Sequence, residues 1–229
     1  ADATLVGVAI GLALAGKKPV VELSGTDALW GAAQQIGQEG AGLSGEFGAT
    51  LVVRVPIGAD GDSAMKLLDG IDSVNVASPA EPADAAVLLD AALNKSGITV
   101  LLEPQGVLST SGGHAGEPSL GRARIVAEGE HITLAAWGDG VEAATTAARA
   151  LGREDISAEV IDLRSLHPLD TDTLSSSVNK TGRLVFVGTG NRILNSAVEA
   201  AFLRLESPPA TVAATPELIT SKARAAVHY

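Results

Sequence analysis

The chain has 229 residues and a formal net charge of −11, from 16 Lys and Arg against 27 Asp and Glu. That balance excludes the basic footprint that nucleic-acid binding requires, and a content of 46% hydrophobic and 19% charged residues excludes intrinsic disorder. With no cysteine, the chain has no disulfide framework, thiolate metal site or cysteine nucleophile.

Residues 3–15 predict an apolar helix, ended by Gly16. The run is shorter than the ~20 residues a bilayer span needs, and no basic region precedes it, so neither a membrane anchor nor a signal peptide is expected. A soluble, cytoplasmic protein is the default reading. The chain begins at Ala1 rather than Met, which leaves room for sequence upstream. Strands are predicted at 20–23, 51–55, 74–77, 98–103, 132–137, 158–163, 184–187 and 210–213. Helices fall between them at 28–39, 82–93, 141–151, 171–178 and 194–206. Asp170 and Ser78-Pro79 are helix-start signals. Apolar strands alternating with helices predict parallel sheets covered on both faces. The stretch 104–124, with STSGGHAGEPS at its centre, reads as a linker or a long surface connection. The expectation is an α/β fold of two three-layer α/β/α domains with mostly parallel sheets, at 1–113 and 114–229.

Other motifs carry less chemistry. The turn GTGNR at 188–192 lacks the full G-x-G-x-x-G pattern and reads as a tight strand-to-helix turn. The histidines His114, His131, His167 and His228 lack metal-ligand spacing, so no zinc site is expected, and His167 reads as a structural polar residue. There is no G-x-S-x-G elbow to support a hydrolase.

ADATLVGVAIGLALAGKKPVVEL at the start, LLEPQ at 101–105 and IDLRSLHPLD at 161–170 together resemble the β subunit of the thiamine-diphosphate-dependent decarboxylating component of 2-oxoacid dehydrogenase complexes. This family combines a transketolase-like pyrimidine-binding domain with a transketolase C-terminal domain. The resemblance covers nearly the whole chain. It implies oxidative decarboxylation of a 2-oxoacid with acyl transfer to a lipoyl carrier. It also implies an α-type partner in an α2β2 assembly that supplies the magnesium and diphosphate site, docking on a lipoyl acyltransferase core, and a structural potassium ion held by backbone carbonyls within 92–103. Asp2 matches the family's catalytic acid beside the aminopyrimidine ring, although the family normally has Glu there. The segment Leu23–Trp30, with Leu23, Ala28 and Trp30 as the named contacts, would flank that ring. Ala28 stands where relatives place a stacking aromatic, and Trp30 is the nearby ring that would substitute. The largest departure follows the strand at 51–55. Relatives carry a glycine-rich loop ending in a histidine that contacts the reaction intermediate, whereas this chain has IGADGDSAMKLLDG. Two alternatives therefore stand beside the enzyme: a degenerate, non-catalytic subunit of the same fold, and a transketolase-like half enzyme acting on sugar phosphates.

Overall fold

The computed structural model describes residues 2–109, 111–112 and 119–229. In chain order the elements are α1 (Asp2–Leu14), β1 (Val20–Glu22), α2 (Thr26–Ser44), β2 (Thr50–Ile57), α3 (Gly61–Leu68), β3 (Val74–Ala77), α4 (Pro82–Leu93), β4 (Gly97–Pro104) and α5 (Gln105–Leu108). There follow β5 (Arg124–Ala127), β6 (Ile132–Ala136), α6 (Gly140–Gly152), β7 (Ala158–Asp162), β8 (Ser165–His167), α7 (Thr171–Thr181) and β9 (Leu184–Val187). The last are α8 (Asn191–Ala201), a 3-10 turn (Phe202–Arg204), β10 (Ala210–Val212) and α9 (Pro216–Val227). The chain divides into two compact units, Ala1–Leu120 with Ser165–Pro168, and Gly121–Arg164 with Leu169–Tyr229. None of the helices described is long and apolar enough to cross a membrane.

The first unit is built on a sheet of order β1-β2-β4-β3-β8, parallel except for β8, which pairs antiparallel with β3. Right-handed crossovers dictate where the helices lie. Steps β1 to β2 and β2 to β3 run in one direction across the sheet and β3 to β4 runs back. Hence α2 and α3 cover one face and α4 the other. Alternation along β2 fits this: Val52 packs with Ala77, Leu101 and the α4 residues Leu88 and Ala92. Strand β4 is buried along its whole length, as a central parallel strand must be. The second unit repeats the plan with order β10-β9-β6-β7-β5 and an antiparallel edge strand, β5.

Four differences from the sequence reading have physical causes. The Gly- and Asp-rich segment after β2 forms a full helix, α3, because Ala64, Met65 and Leu68 bury one face of it. Within 104–124, Gly112 accepts a hydrogen bond from the Ala83 amide at 3.1 Å and Leu120 packs against the α4 core cluster, so the described ends of that stretch are docked on the first unit. The segment holding His114 lies outside the described residues. The predicted helix 194–206 begins three residues earlier, at Asn191 behind the cap residue Gly190, and its last turn tightens to the 3-10 turn. The edge strands β5 and β8, the short α5 and the helix α9 are further elements. The Nδ1 of His167 lies in hydrogen-bond contact with the Val74 carbonyl oxygen.

In the second unit, Asp170 caps α7. It accepts from the Thr173 amide at 3.0 Å, the Thr173 hydroxyl at 2.8 Å and the Ala123 amide at 2.9 Å. Burial pushes its carboxyl up, but these donors together hold it below the usual carboxylate range. A lowered folded value means that the stabilisation is complete above the unfolded value of about 3.9 and is lost as pH falls below it. Asp170→Ala is expected to cost about 1–2 kcal/mol near neutral pH. In thermal melts, the gap between variant and wild type should close as pH falls below about 3.9.

Candidate functional site

In an open parallel sheet, every loop that leaves a strand's C-terminal end gathers at one edge, which is where ligands bind. At that edge of the first unit lies a cavity of about 320 Å³. Its walls come from the turn after β1 (Ser24, Gly25, Thr26, Asp27 and Ala28), the end of β2 and the turn beyond it (Pro56, Gly58 and Asp60), and Gln105 after β4. Gly25, at φ 151°, makes the sharp change of direction from strand to helix, a conformation that side chains disfavour.

The lining is polar and acidic. Asp27 sits in the first turn of α2, and Asp60 at the cap position of α3. Asp60 Oδ1 accepts from the Gly58 amide at 3.0 Å. The neighbouring Thr26 hydroxyl, with that amide, holds the Asp60 carboxyl below its usual range. Thr26 is itself 4% exposed, and its hydroxyl oxygen makes no hydrogen bond of normal geometry.

Behind the cavity, Arg54 ties three strands together. It donates to both oxygens of Glu103, Nε to Oε1 at 3.0 Å and Nη2 to Oε2 at 2.8 Å, and its Nη1 reaches Glu22 Oε2 at 2.9 Å. Glu103 is 2% exposed, so its charge depends on that two-pronged contact. The Glu103 hydrogen bond raises the Arg54 pKa further, against a smaller effect of burial.

The residues expected to meet a cofactor are distributed unevenly. Ala28 lines the cavity and is 5% exposed. Leu23 is 2% exposed and belongs to the core beneath it. Trp30, on α2, is 55% exposed and is not among the lining residues. Asp2 is the half-buried first residue of α1. The short turn into β1 sets α1 back along the strand, so the first turn of α1 lies toward the same end of the sheet as the cavity, but Asp2 is not part of the cavity wall. Ser24, Thr26 and Asp27 lie inside the segment 23–30 expected to flank the ring, and Gln105 ends the LLEPQ run, but the sequence singled out none of the four. Ser24 lies in the turn after β1, Thr26 and Asp27 open α2, and Gln105 follows directly on β4.

Two units of this topology, with a cavity at the strand ends of the first, define a transketolase-like protein. A solved split-gene transketolase, described as an inactive beta4 tetramer, superposes with a TM-score of 0.83 at 21% identity, covering 100% of this chain and 82% of that one. The family "Transketolase, C-terminal domain" matches residues 121–228. The pyruvate dehydrogenase E1 component subunit beta of Acholeplasma laidlawii is 30% identical over 231 residues, 91% of this chain and 71% of that protein. The mitochondrial 2-oxoisovalerate dehydrogenase subunit beta of Chaetomium thermophilum is 32% identical over 91% of this chain and 50% of its own length. The chain therefore belongs to the family of β subunits of 2-oxoacid dehydrogenase E1 components.

Removing the arginine would strand the Glu103 carboxylate in the core. Arg54→Leu is expected to destabilise the chain by about 3–5 kcal/mol. Arg54→Leu combined with Glu103→Leu should recover much of that loss in chemical denaturation, the sign of an uncompensated charge rather than lost packing.

Proposed function

We propose that this chain works with an α-type subunit, in an α2β2 assembly, as the thiamine-diphosphate-dependent component that decarboxylates a 2-oxoacid and passes the acyl group to a lipoyl carrier on an acyltransferase core. Its first unit is read as the pyrimidine-binding domain. The observation that carries this reading is the 30% identity with a pyruvate dehydrogenase β subunit across 91% of the chain. The cavity at the strand ends, walled by the segment expected to meet the pyrimidine ring, supports it. A cytoplasmic location belongs to the same reading and rests on the sequence.

The residues present fit the pyrimidine end of the cofactor in part. Asp2 offers a carboxyl at the right end of α1, Ala28 a small contact surface, and Thr26 and Gln105 polar groups that would pair with ring nitrogens and an amine. A stacking aromatic and a loop histidine are absent from the described cavity wall. When bound, the cofactor supplies a carbanion equivalent and an electron sink. The chain's own part is narrower: Asp2 would hold a proton at the ring nitrogen, and the cavity wall would orient the ring and limit water. Magnesium and the diphosphate would sit on the partner. The implied potassium site within 92–103 has only the family's sequence in its favour. Two of its carbonyls, Ala92 and Lys95, already accept from the Lys95 amide at 3.2 Å and the Thr50 hydroxyl at 3.0 Å.

A second reading, a non-catalytic subunit, is favoured by one observation: the connection after β2 closes directly into α3, without room for a histidine-bearing loop. Activity separates the two readings. With an α-type partner, thiamine diphosphate, magnesium and a 2-oxoacid, the catalytic reading expects turnover. Asp2→Asn should then lower kcat at least 100-fold, in line with the usual 10²–10⁴-fold contribution of a proton-transferring group, and Asp2→Glu should retain activity. Turnover unaffected by Asp2→Asn would remove the acid's role, and no turnover at all would leave the non-catalytic reading.

The first helix bears on assembly. Its inner face buries Val6, Ala9, Ile10 and Ala13, while Leu5, Val8, Leu12 and Leu14 are 45–59% exposed. Gly7 and Gly11 have open space where a Cβ would stand. That apolar outer face supports a subunit contact. Gly11→Leu should leave the melting of the isolated chain nearly unchanged, yet weaken assembly by about 1–3 kcal/mol through overpacking. Sedimentation against concentration measures both species.

A further inference from the structure

The family resemblance implies a potassium ion held by backbone carbonyls within 92–103. A monovalent cation sheds its water only for a set of carbonyl oxygens that replaces the hydration shell. Here those oxygens are already committed to donors of the chain itself. Helix α4 is capped at Asn94. The Asp90 carbonyl accepts from the Asn94 amide at 3.2 Å and from Asn94 Nδ2 at 3.0 Å, and the Ala92 carbonyl accepts from the Lys95 amide at 3.2 Å. The Lys95 carbonyl takes the Thr50 hydroxyl at 3.0 Å. From Gly97 onward the chain is β4, in the middle of its sheet, paired with β2 along 97–104 and with β3 along 98–101. Its carbonyls belong to those ladders. That leaves Leu93, Asn94 and Ser96 in the turn, too few oxygens to stand in for a hydration shell. A carbonyl keeps a second lone pair, so charge matters as well. The C-terminal end of a helix attracts a cation, and lysines supply it here. Lys18 Nζ donates to Asn94 Oδ1 at 3.4 Å, and Lys95 stands on the turn itself, lining a cavity of about 430 Å³. A metal ion entering there would meet two ammonium groups and, among the lining residues, a single carboxylate, Asp72.

We infer that the turn between α4 and β4 is locked by the chain's own donors and takes no potassium ion. The Thr50 hydroxyl, on a residue 8% exposed at the start of β2, clips the turn that leads into β4. It reinforces the bond from the Gly97 amide to the Ala49 carbonyl at 2.7 Å. Lys18, just ahead of β1, brings the positive charge to the helix end. The starts of β1, β2 and β4 are thus tied to one turn by a hydroxyl and an ammonium group. Of the cofactors that the resemblance implies, this one is set aside. The reading of the chain as a β-type subunit does not depend on it.

The full chain tests this without any need for turnover. An ion present at a hundred times its dissociation constant would raise the melting temperature by about 5–10 °C. Melts in potassium, sodium and choline chloride at equal ionic strength should instead coincide. Thallium(I), a potassium mimic with its own NMR signal, should show no bound resonance that potassium displaces. Thr50→Val should lower the melting temperature by the same amount in all three salts, and Thr50→Ser should restore it. A potassium-specific rise in the wild type or a displaceable thallium signal would overturn the inference. So would a Thr50→Val loss seen only in potassium, which would make the hydroxyl an ion ligand. Should Thr50→Val not fold, the wild-type melts and the thallium titration decide alone. Absence of turnover with an α-type partner would sink the enzymatic reading and leave each of these outcomes as it is.

Discussion

Two parallel strands cannot be joined by a tight turn; the chain has to cross back over the sheet before the next strand begins. Most of the architecture follows from that constraint. It makes each connection a helix, fixes the face on which each helix lies through right-handed crossing, and sends the loops that follow the strands to one edge. The cavity arises because β1, β2 and β4 are neighbours and all end there. Its wall is drawn from segments spread between Ser24 and Gln105, and no single motif in the sequence could have announced it.

The sequence was most readable where local pattern and tertiary demand agree. Strands at 74–77 and 184–187 and the helix at 82–93 were marked by apolar runs and stand at those limits in the fold, although the helix is capped at Glu81 and not at the Ser78-Pro79 start signal. Reading faltered where a few apolar residues decide the outcome. In ADGDSAMKLLDG the glycine and aspartates suggest a loop, but burial of Met65 and Leu68 outweighs weak helix propensity. Strand β8 is three residues long and its pairing with β3 is ninety residues away in sequence, beyond any local signal. At the site, the segment 23–30 was reachable through family resemblance, but the individual roles of Thr26 and Gln105 carry no pattern of their own and show only once the fold places them at the strand ends.

Buried charge is handled consistently in both units. Glu103 is gripped by Arg54. In the second unit, Glu159, 1% exposed, meets the Lys180 ammonium and the Gly129 amide. Asp162, fully buried, receives the Arg164 amide at 3.1 Å and the Arg124 guanidinium at 3.3 Å. Each carboxylate lies on or at the end of a strand and is met by donors from another strand, a covering helix or a neighbouring turn. Such arrangements add little net stability over apolar packing, yet they penalise any slip of register, since a shifted strand would leave a charge buried alone. In a chain with 3% aromatic residues, whose core is made largely of interchangeable aliphatic side chains, register needs that kind of marker.

Strand β8 has a consequence for how the protein can be divided. The chain leaves the first unit at Leu120, returns to it for Ser165–Pro168, and leaves again. The two units are thus threaded together three times, like cloth caught by a back-stitch. A fragment ending anywhere before Ser165 would leave the outer edge of β3 bare, with its amides and carbonyls open to pairing with a neighbouring molecule. Gene-level splitting of this fold at the apparent linker would therefore yield a first half prone to aggregate, and a single proteolytic nick there would leave both pieces still laced to one another by backbone hydrogen bonds.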